Sequence, residues 1–283
     1  MAKLDMESIV EAVNNLPVLP GIVLKVIKLT EDPDSTVQDI SRLLNQDQVI
    51  TAQVLKMANS AFYGFPRRIG SVTDAIVLLG FRTLRSIVMA AAVSDLLNQE
   101  IPGYAMEYGE LWRHSQCAAM AARLIARKSK FAMLDVAYTA GLLHDIGKII
   151  LNNAMQDTYQ EIVARVTSDN ISFVEAEVQE LGFNHAQVGA RVVEKWNLPV
   201  ETVEAIRYHH IPEKAEVNPR LTAIVHLADV ISVSMGVGMG IDGLLYSVSE
   251  EAMQLLGLDE ITIESIISEL IDVFSDQSIF EIK

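Results

Sequence analysis

Residues 141–151 read GLLHDIGKIIL, an apolar run that is interrupted by a histidine and an aspartate side by side. Ionisable side chains cost free energy when they are buried without a partner. A metal ion would satisfy His144 and Asp145, because imidazole and carboxylate together suit divalent transition metals. A doublet of this kind is also typical of a helix cap or of a hydrogen-bonded polar pair. The remaining residues of the chain have to distinguish these interpretations.

The composition is that of a globular protein with a large core. Of the 283 residues, 50% are hydrophobic, and glycine and proline are too sparse for a fibrous or disordered chain. The formal net charge of −15 argues against nonspecific binding to DNA or to an anionic membrane, because both require a basic surface. The single cysteine, Cys117, excludes a disulfide within the chain and a thiolate metal cluster.

The first residues, MAKLDME, lack the basic and apolar blocks of a secretory signal. The longest apolar stretches, such as the one at 230–241, are expected to be too short to span a bilayer. The sequence therefore leads us to expect a soluble cytoplasmic protein.

The hydrophobic periodicity predicts helices in the first part of the chain. Ser35 and Gln38 have the spacing of a capping box at the start of one helix. Asp47 is predicted to begin the next helix, which we expect to end near 63–66, where glycine and proline follow. Another capping pair at Ser71, three residues before an aspartate, precedes two helical segments that are separated by a glycine.

The second part of the chain also has helical periodicity, and no segment of useful length alternates as a strand does. After a joint near 98–103, helices are predicted at 107–128, 134–144, 146–166, 172–181, 185–196, 200–209 and 220–235. A glycine-rich break at 236–240 follows. The last stretch, 259–283, is acidic and amphipathic, and we expect it to pack on the body of the protein or on a dimer partner. The sequence therefore predicts an all-α fold.

The chain has only six histidines, and most of them lie in apolar helical settings that also carry acids. Glu110 and His114 are four residues apart, so they project from the same face of a helix. The other residues of this kind are His144, Asp145, His185, His209, His210 and Asp229. Each one alone has an ordinary explanation as a hydrogen-bonded core residue or a solvated acid. Together they are better explained by one shared metal site.

Several separated motifs resemble the HDOD domain, a signalling relative of the HD phosphohydrolases. These motifs are LPVLP at 16–20, NSAFYG at 59–64, SVTDAIVLLG at 71–80, HAQVGA at 185–190, WNLP at 196–199 and YHH at 208–210. The resemblance covers about 16–212, and more loosely the helix through Asp229. It implies an all-α fold in which a helical N-terminal lobe packs on an HD-type helical core.

The same resemblance implies a division of the chain. We predict an N-terminal helical lobe at 1–100, an HD-like metal-binding helical core at 101–235 and a C-terminal helical extension at 236–283.

The resemblance also implies a set of metal ligands. In the related HD-GYP branch, the ligands are a glutamate four residues before a histidine, the His-Asp doublet, a further histidine, a His-His pair and a later aspartate. The matching positions in this chain are Glu110, His114, His144, Asp145, His185, His209, His210 and Asp229. Many HDOD domains have lost part of this set, whereas this chain retains all of it. By the resemblance, Asp145 is expected to bridge two metal ions, since a carboxylate has two oxygens.

Nitrogen and oxygen donors without sulfur favour iron or manganese, with zinc and nickel as alternatives. Two such ions can hold a hydroxide for in-line attack on phosphorus. Lys148 resembles the phosphate-facing lysine of HD-GYP proteins, so the resemblance implies Asp145 and Lys148 as catalytic residues. The ordinary explanation of Lys148 is an exposed lysine. His226 has no role that the resemblance implies, and we expect it to be a core residue or a partner that orients a ligand.

One segment departs from the HD-GYP pattern. That branch follows its His-His pair with a Gly-Tyr-Pro loop that helps to bind a cyclic dinucleotide, whereas here the pair is followed by IPEKAE at 211–216. A basic group in the N-terminal half could bind a phosphate or an acidic partner, or could simply form solvated faces. Its members are Arg67, Arg68, Arg82 and Arg85.

Two functional hypotheses follow. The first is a bacterial signal-transduction module with a binding or regulatory role, a two-metal centre, and signalling proteins or a nucleotide as partners. The alternative is a metal-dependent phosphohydrolase or phosphodiesterase that acts on a nucleotide or a cyclic dinucleotide. A structural helical protein without metal is a further interpretation. A homodimer formed through the last helix is also compatible with the sequence.

Overall fold

The structure, a computed structural model, describes residues 19–238 and 248–274. Within that part, the side chains of 153–157 and 159 are not described. Some predictions therefore lie outside the described residues: the motif residues 16–18, residues 239–240 of the glycine-rich break, and residues 275–283 of the acidic C-terminal stretch.

The described residues form helices and no named strand, which confirms the all-α prediction. Short 3-10 helices lie at Pro102–Tyr104 and Pro212–Lys214. The α-helices are α1 (Gly21–Glu31), α2 (Val37–Leu44), α3 (Gln48–Ala58), α4 (Val72–Leu97), α5 (Glu110–Lys128), α6 (Leu134–Leu143), α7 (Gly147–Asp169), α8 (Phe173–Leu181), α9 (His185–Lys195), α10 (Val200–Arg207), α11 (Pro219–Ser234), α12 (Glu250–Leu256) and α13 (Glu260–Phe274).

The capping box of α2 lies one residue later than predicted. The Thr36 hydroxyl accepts a hydrogen bond from the Asp39 backbone N–H, and the Asp39 carboxylate accepts one from the Thr36 N–H. The predicted pair of Ser35 and Gln38 is therefore wrong. Both pairs have the three-residue spacing of a capping box, so spacing alone does not distinguish them.

The predicted start of α3 is confirmed, but its predicted end is several residues too late. The Asp47 carboxylate caps α3 by accepting from two backbone N–H groups. The helix ends at Ala58, where the Asn59 side chain takes over the backbone hydrogen bonds. Its amide nitrogen donates to Leu55 O and to Ile69 O, and its oxygen accepts from Ile69 N at 2.7 Å. Asn59 thereby ties the loop at 59–70 to the end of α3.

Gly80 divides α4 into two helical segments. Its backbone has φ 78° and ψ 165°, a region of conformational space that is essentially restricted to glycine. By length and composition alone, α4 is the one helix among the described residues that could cross a membrane, although no such stretch was expected from the sequence. Its most apolar window is 56% buried inside the protein, as in the core helix of a globular domain.

The contacts within the chain divide it into two compact units, each with its own core. One unit is built from Leu97–Ile267, and the other mainly from 19–96. In the first unit, α5 packs against α6 and α11 and is buried along most of its length. In the second, α1 to α4 enclose a core of buried aliphatic side chains such as Val26, Ile40 and Leu84. The domain limits implied by the resemblance, at residues 100 and 235, stay predictions.

We expect Gly80→Ala to lower the free energy of unfolding by about 1–3 kcal/mol, because alanine would be held in a backbone conformation that costs it this much. The site is open, with no heavy atom within 4 Å of an added Cβ, so the effect would be pure backbone strain. Gly21 is the matched control, because it is helical and equally open. Gly21→Ala should leave stability unchanged or raise it by up to about 1 kcal/mol. Equal denaturation midpoints for the two variants would contradict this account.

Candidate metal centre

Two glycines bring the His-Asp doublet close to the neighbouring helices. A Cβ on Gly141 would lie 2.7 Å from Ala118 O on α5, and a Cβ on Gly147 would lie 2.0 Å from His185 O on α9. Both distances are too short for any side chain, so only glycine permits these approaches. The doublet lies between the two glycines, at the turn from α6 to α7, and therefore faces residues of α5 and α9.

Three side chains form a first group of donors, which we call the first triad. His114 comes from α5, His144 follows α6 and Asp229 lies on α11. The Nε2 atom of His114 is 3.2 Å from Nε2 of His144 and 3.0 Å from Oδ1 of Asp229. All three residues are buried, and their donor atoms lie within 4.8 Å of one another. This spacing allows a single ion to be bound by all three.

Three histidines form a second group, the second triad. His185 begins α9, and the adjacent pair His209 and His210 follows α10. The Nε2 atoms of His185 and His210 are 2.8 Å apart, and the donor atoms of all three lie within 4.8 Å of one another. His185 and His209 are fully buried, whereas His210 is half-buried. This triad therefore has one member near solvent.

Asp145 lies between the two triads and directs one oxygen to each. Its Oδ2 atom is 3.4 Å from Nε2 of both His114 and His144. Its Oδ1 atom is 3.3 Å from Nε2 of His185 and 3.9 Å from Nε2 of His209. A carboxylate in this position can bridge two cations, one in each triad.

Hydrogen bonds on the far side of the rings fix how the histidines point. A carbonyl can only accept, so a ring Nδ1 that bonds to one must carry the hydrogen. This holds for His114 with Val237 O, for His144 with Gly141 O and for His209 with Ile206 O. The Nδ1 of His185 donates in the same way to the Glu177 carboxylate, at 2.8 Å. In the neutral rings, Nε2 is therefore the lone-pair atom that points to the centre.

The converging Nε2 atoms fit a metal centre, and without a cation among them they cost folding free energy. Lone pairs on neighbouring Nε2 atoms repel each other unless a proton or a metal ion lies between them. The Nε2 atom of His209 is buried and has no hydrogen-bond partner, which ordinarily costs a folded protein about 1–3 kcal/mol. Imidazole nitrogen and carboxylate oxygen together are donors for transition metals. The His/Asp cluster can therefore hold a metal ion.

The electrostatics of the centre also favour positive charge. Burial alone would lower the pKa of His144, yet the Asp145 and Asp229 carboxylates raise it to about 10. Burial likewise opposes the charge on His185, but Glu177 and Asp145 raise its pKa to about 9. Burial lowers the pKa of His209 to about 3, with a contribution from nearby His144. In each triad, nearby carboxylates thus favour the charged form of one histidine, His144 or His185.

The two aspartates are held as carboxylates. Burial opposes this, but the positive charges of His144 and Lys148 keep the pKa of Asp145 well below its usual range. For Asp229, burial is outweighed by the charge of His144 and by hydrogen bonds from His114 and His144, which also hold its pKa well below the usual range. Both side chains are therefore in the form that binds cations.

The structure does not bring Glu110, the remaining predicted ligand, into either triad. Its Oε2 atom accepts from the Glu107 N–H at 2.7 Å, and its Oε1 atom is 4.0 Å from Arg113. The carboxylate thus bonds to the turn just before α5, and it lies in the first turn of that helix, where a negative charge is favourable. Glu110 and His114 are four residues apart as predicted, but within the described contacts only the histidine reaches the cluster.

Lys148 is buried beside Asp145, which excludes the exposed lysine that was its ordinary explanation. Its Nζ atom is 2.6 Å from Oδ2 of Asp145 and 5.6 Å from the centre of the Tyr104 ring. The lysine thus places a positive charge on the same oxygen that faces the first triad. Its catalytic role stays a prediction.

Sequence reasoning missed two residues that support the second triad. The fully buried Glu177 carboxylate accepts from the His185 ring and backbone and from the Tyr104 hydroxyl. Glu177 is four residues from both Phe173 and Leu181, which are buried, so its position on the apolar face of α8 was a usable signal. Tyr104 lies in a short 3-10 helix, and the sequence offered no comparable signal for it.

His226 contacts the backbone of His209, one of the candidate ligands. Its Nδ1 donates to His209 O at 2.8 Å, and its Nε2 accepts from the Ser249 N–H at 3.0 Å. His226 therefore fixes the backbone of a triad residue from outside the triad.

A model of the HDOD domain matches residues 16–212 of the sequence. The chain belongs to the HDOD family. The matched range includes six of the seven residues of the cluster, and Asp229 lies beyond it.

Individual relatives agree with this assignment. An uncharacterized protein of Treponema pallidum (strain Nichols) is 26% identical over 227 residues, and the match covers 79% of this chain but only 43% of the relative. The chain thus spans less than half the length of that relative.

Two solved structures share the fold. An HDOD domain protein of unknown function from Geobacter sulfurreducens has a TM-score of 0.74 at 28% identity, with 97% of each chain covered. A protein from Shewanella amazonensis SB2B that is named as a candidate phosphohydrolase has a TM-score of 0.74 at 25% identity, with 96% of each chain covered.

We expect Glu177→Ala to destabilise the metal-free protein, measured by urea denaturation in the presence of a chelator. The change leaves the Tyr104 hydroxyl and the His185 ring N–H without an acceptor, at a cost of about 1–3 kcal/mol each. Glu180→Ala on the same helix is the control. It removes only a partly exposed ion pair with Arg165 and should cost no more than about 1 kcal/mol. Equal losses in the two variants would show that the Glu177 contacts are not important for stability.

Proposed function

We propose that this chain is a bacterial signal-transduction module of the HDOD family, with a binding or regulatory role centred on two metal ions. The observation that carries the proposal is the position of Asp145, which directs one oxygen to each triad of buried donors. One ion would be held by His114, His144 and Asp229, and the other by the second triad. Asp145 would bridge them.

The donor set supports particular metals. Five imidazoles and two carboxylates without a thiolate favour iron or manganese, with zinc and nickel as alternatives. Two six-coordinate ions would have more positions than these donors fill, so water would complete each site. Glu110 would have to release the Glu107 N–H to join the set, and we therefore leave it out of the proposed ligands.

The segment after the histidine pair supports a module rather than a hydrolase. The Glu204 carboxylate accepts backbone N–H bonds from Glu216, Val217 and Asn218, at distances of 2.7–2.9 Å. These bonds lower the pKa of Glu204 against the effect of burial. The segment is thus closed on α10, and it has no Gly-Tyr-Pro sequence with which to present a cyclic dinucleotide.

A metal-dependent phosphohydrolase or phosphodiesterase is the second candidate function. It is favoured by Lys148, whose buried charge beside Asp145 could face a substrate phosphate. The relative from Shewanella amazonensis SB2B, named as a candidate phosphohydrolase, is consistent with it. Bound metal ions would supply Lewis acidity and an activated water. A nucleotide or a cyclic dinucleotide would be the substrate class.

The proposed module would act in the cytoplasm and respond to signalling proteins or to a nucleotide. Its formal net charge is −15, so nucleic acid is not among the proposed partners. A homodimer through α13 is compatible with the exposed Ile261 on that helix.

We predict that protein purified without chelators carries about two transition-metal ions per chain, and that each triad holds one. His114→Ala and His210→Ala should each reduce the metal content to about one ion, because each removes a donor from a different triad. Asp145→Ala should reduce the metal content of both triads. The measurement is elemental analysis by inductively coupled plasma mass spectrometry, with circular dichroism to confirm the helical fold.

Glu110→Gln is the matched control for metal content, since its carboxylate accepts from the Glu107 N–H and does not reach either triad. It should retain the wild-type stoichiometry. Absence of metal from the wild-type protein, or loss of both ions in His210→Ala alone, would contradict independent triads that share Asp145.

We further expect the metal-loaded protein to hydrolyse nucleotides, cyclic dinucleotides and a chromogenic phosphodiester no faster than Asp145→Ala does. The physical reason is that the donor cluster is buried and the following segment is closed. Turnover that depends on metal and disappears in both Asp145→Ala and Lys148→Met would instead establish the phosphohydrolase.

A further inference from the structure

A basic groove lies in the unit built from 19–96, which contains none of the metal donors. One wall is the exposed face of α3, including Leu55 and Lys56, and the other is the loop at 65–70 with Arg67 and Arg68. The cavity between the walls has a volume of about 890 Å³. Pockets of about 300–1,000 Å³ typically bind small molecules.

The charge of this region is opposite to that of the chain. Between positions 48 and 94 the sequence has five basic residues and one acidic residue, in a protein whose net charge is −15. Arg85 is neutralised by Glu31 at 2.6 Å. Among the described residues, by contrast, no carboxylate forms an ion pair with Lys56, Arg67 or Arg68. The positive charge of the groove is therefore available to an anion from solution.

The groove also has an apolar side. Leu55 and Phe65 are half-buried and line it together with the buried Ile69. An aromatic ring beside arginine side chains is a surface on which a planar base can stack, while the guanidinium groups bind phosphate oxygens. The combination favours a ligand with both a flat ring and phosphate groups over a bare inorganic anion.

The loop that carries the arginines is held in place before any ligand binds. The Asn59 side chain pairs with both backbone groups of Ile69, at 2.9 and 2.7 Å, and so joins the loop to α3. A pre-organised wall reduces the entropy that binding would otherwise cost. This clamp explains why the loop can present two adjacent arginines without a salt bridge to orient them.

We propose that the groove between α3 and the loop at 65–70 is a nucleotide-binding site, separate from the metal centre. Lys56, Arg67 and Arg68 would bind the phosphate groups, and Phe65 would stack on the base. The proposal does not depend on metal at the His/Asp cluster, because the groove and the cluster belong to different units.

The test is titration calorimetry of the full chain with ATP, in chelator and at low ionic strength, so that the metal centre does not contribute. ATP should bind, and Arg67→Gln combined with Arg68→Gln should weaken binding by about tenfold or more. Lys25→Gln combined with Arg42→Gln is the matched control. It removes the same charge from exposed positions of the same unit, outside the groove, and should change the affinity less than about twofold.

A second arm tests the base. Phe65→Leu keeps an apolar residue at a half-buried position, so the fold should be retained, and it should weaken ATP while leaving tripolyphosphate unchanged. No binding of ATP to the wild-type protein at about 1 mM would overturn the proposal. Equal losses in the arginine variant and its control would also overturn it, as would tripolyphosphate binding as tightly as ATP.

Discussion

The candidate metal centre depends on one constraint, the arrangement of histidine rings around the Asp145 carboxylate. Four of the rings have their Nδ1 hydrogen committed to an acceptor outside the cluster, so their Nε2 lone pairs converge. Such convergence is unfavourable unless positive charge lies among the lone pairs. In the metal-free chain, the neighbouring carboxylates favour such charge by raising the pKa of His144 and of His185.

The fold supplies this geometry through close packing rather than through long loops. Gly141 and Gly147 let α6 and α7 approach their neighbours so closely that no side chain would fit. The turn between them then carries the doublet into the space bounded by α5, α9 and α11. Outside the triads, Glu177 and His226 hold the ring of one ligand and the backbone of another. Stability and function are thus coupled, because the same bonds fix the core and aim the donors.

Much of the helical fold and of the metal centre could be predicted from the sequence. The helices follow from hydrophobic periodicity. Seven of the eight predicted ligands are brought together, since each motif places its donor on a helix end or an apolar face. Glu110 differs because a glutamate in the first turn of a helix has a competing use, as the acceptor of a backbone N–H in the preceding turn. Tyr104 was missed because its role depends on a contact across 73 residues, which no local pattern records. Glu177 carried a usable signal, its position on the apolar face of α8, that was not interpreted. The predicted capping box of α2 was one residue too early, because the three-residue spacing fits two adjacent pairs of residues equally well.

The metal centre and the basic groove divide the proposed activities between the two units. The metal centre would give a binding or regulatory core, and the basic groove would give a site for a soluble phosphorylated ligand. The strongly acidic remainder of the chain makes the uncompensated arginines at the groove stand out as a binding feature rather than a solubility feature.

The central claim is that Asp145 bridges two cations, and anomalous diffraction at the absorption edge of the bound metal tests it most directly. The account predicts two anomalous peaks about 3.5–4 Å apart, one beside each triad, with the Asp145 carboxylate between them. A single peak, or two peaks that share a ligand other than Asp145, would contradict it.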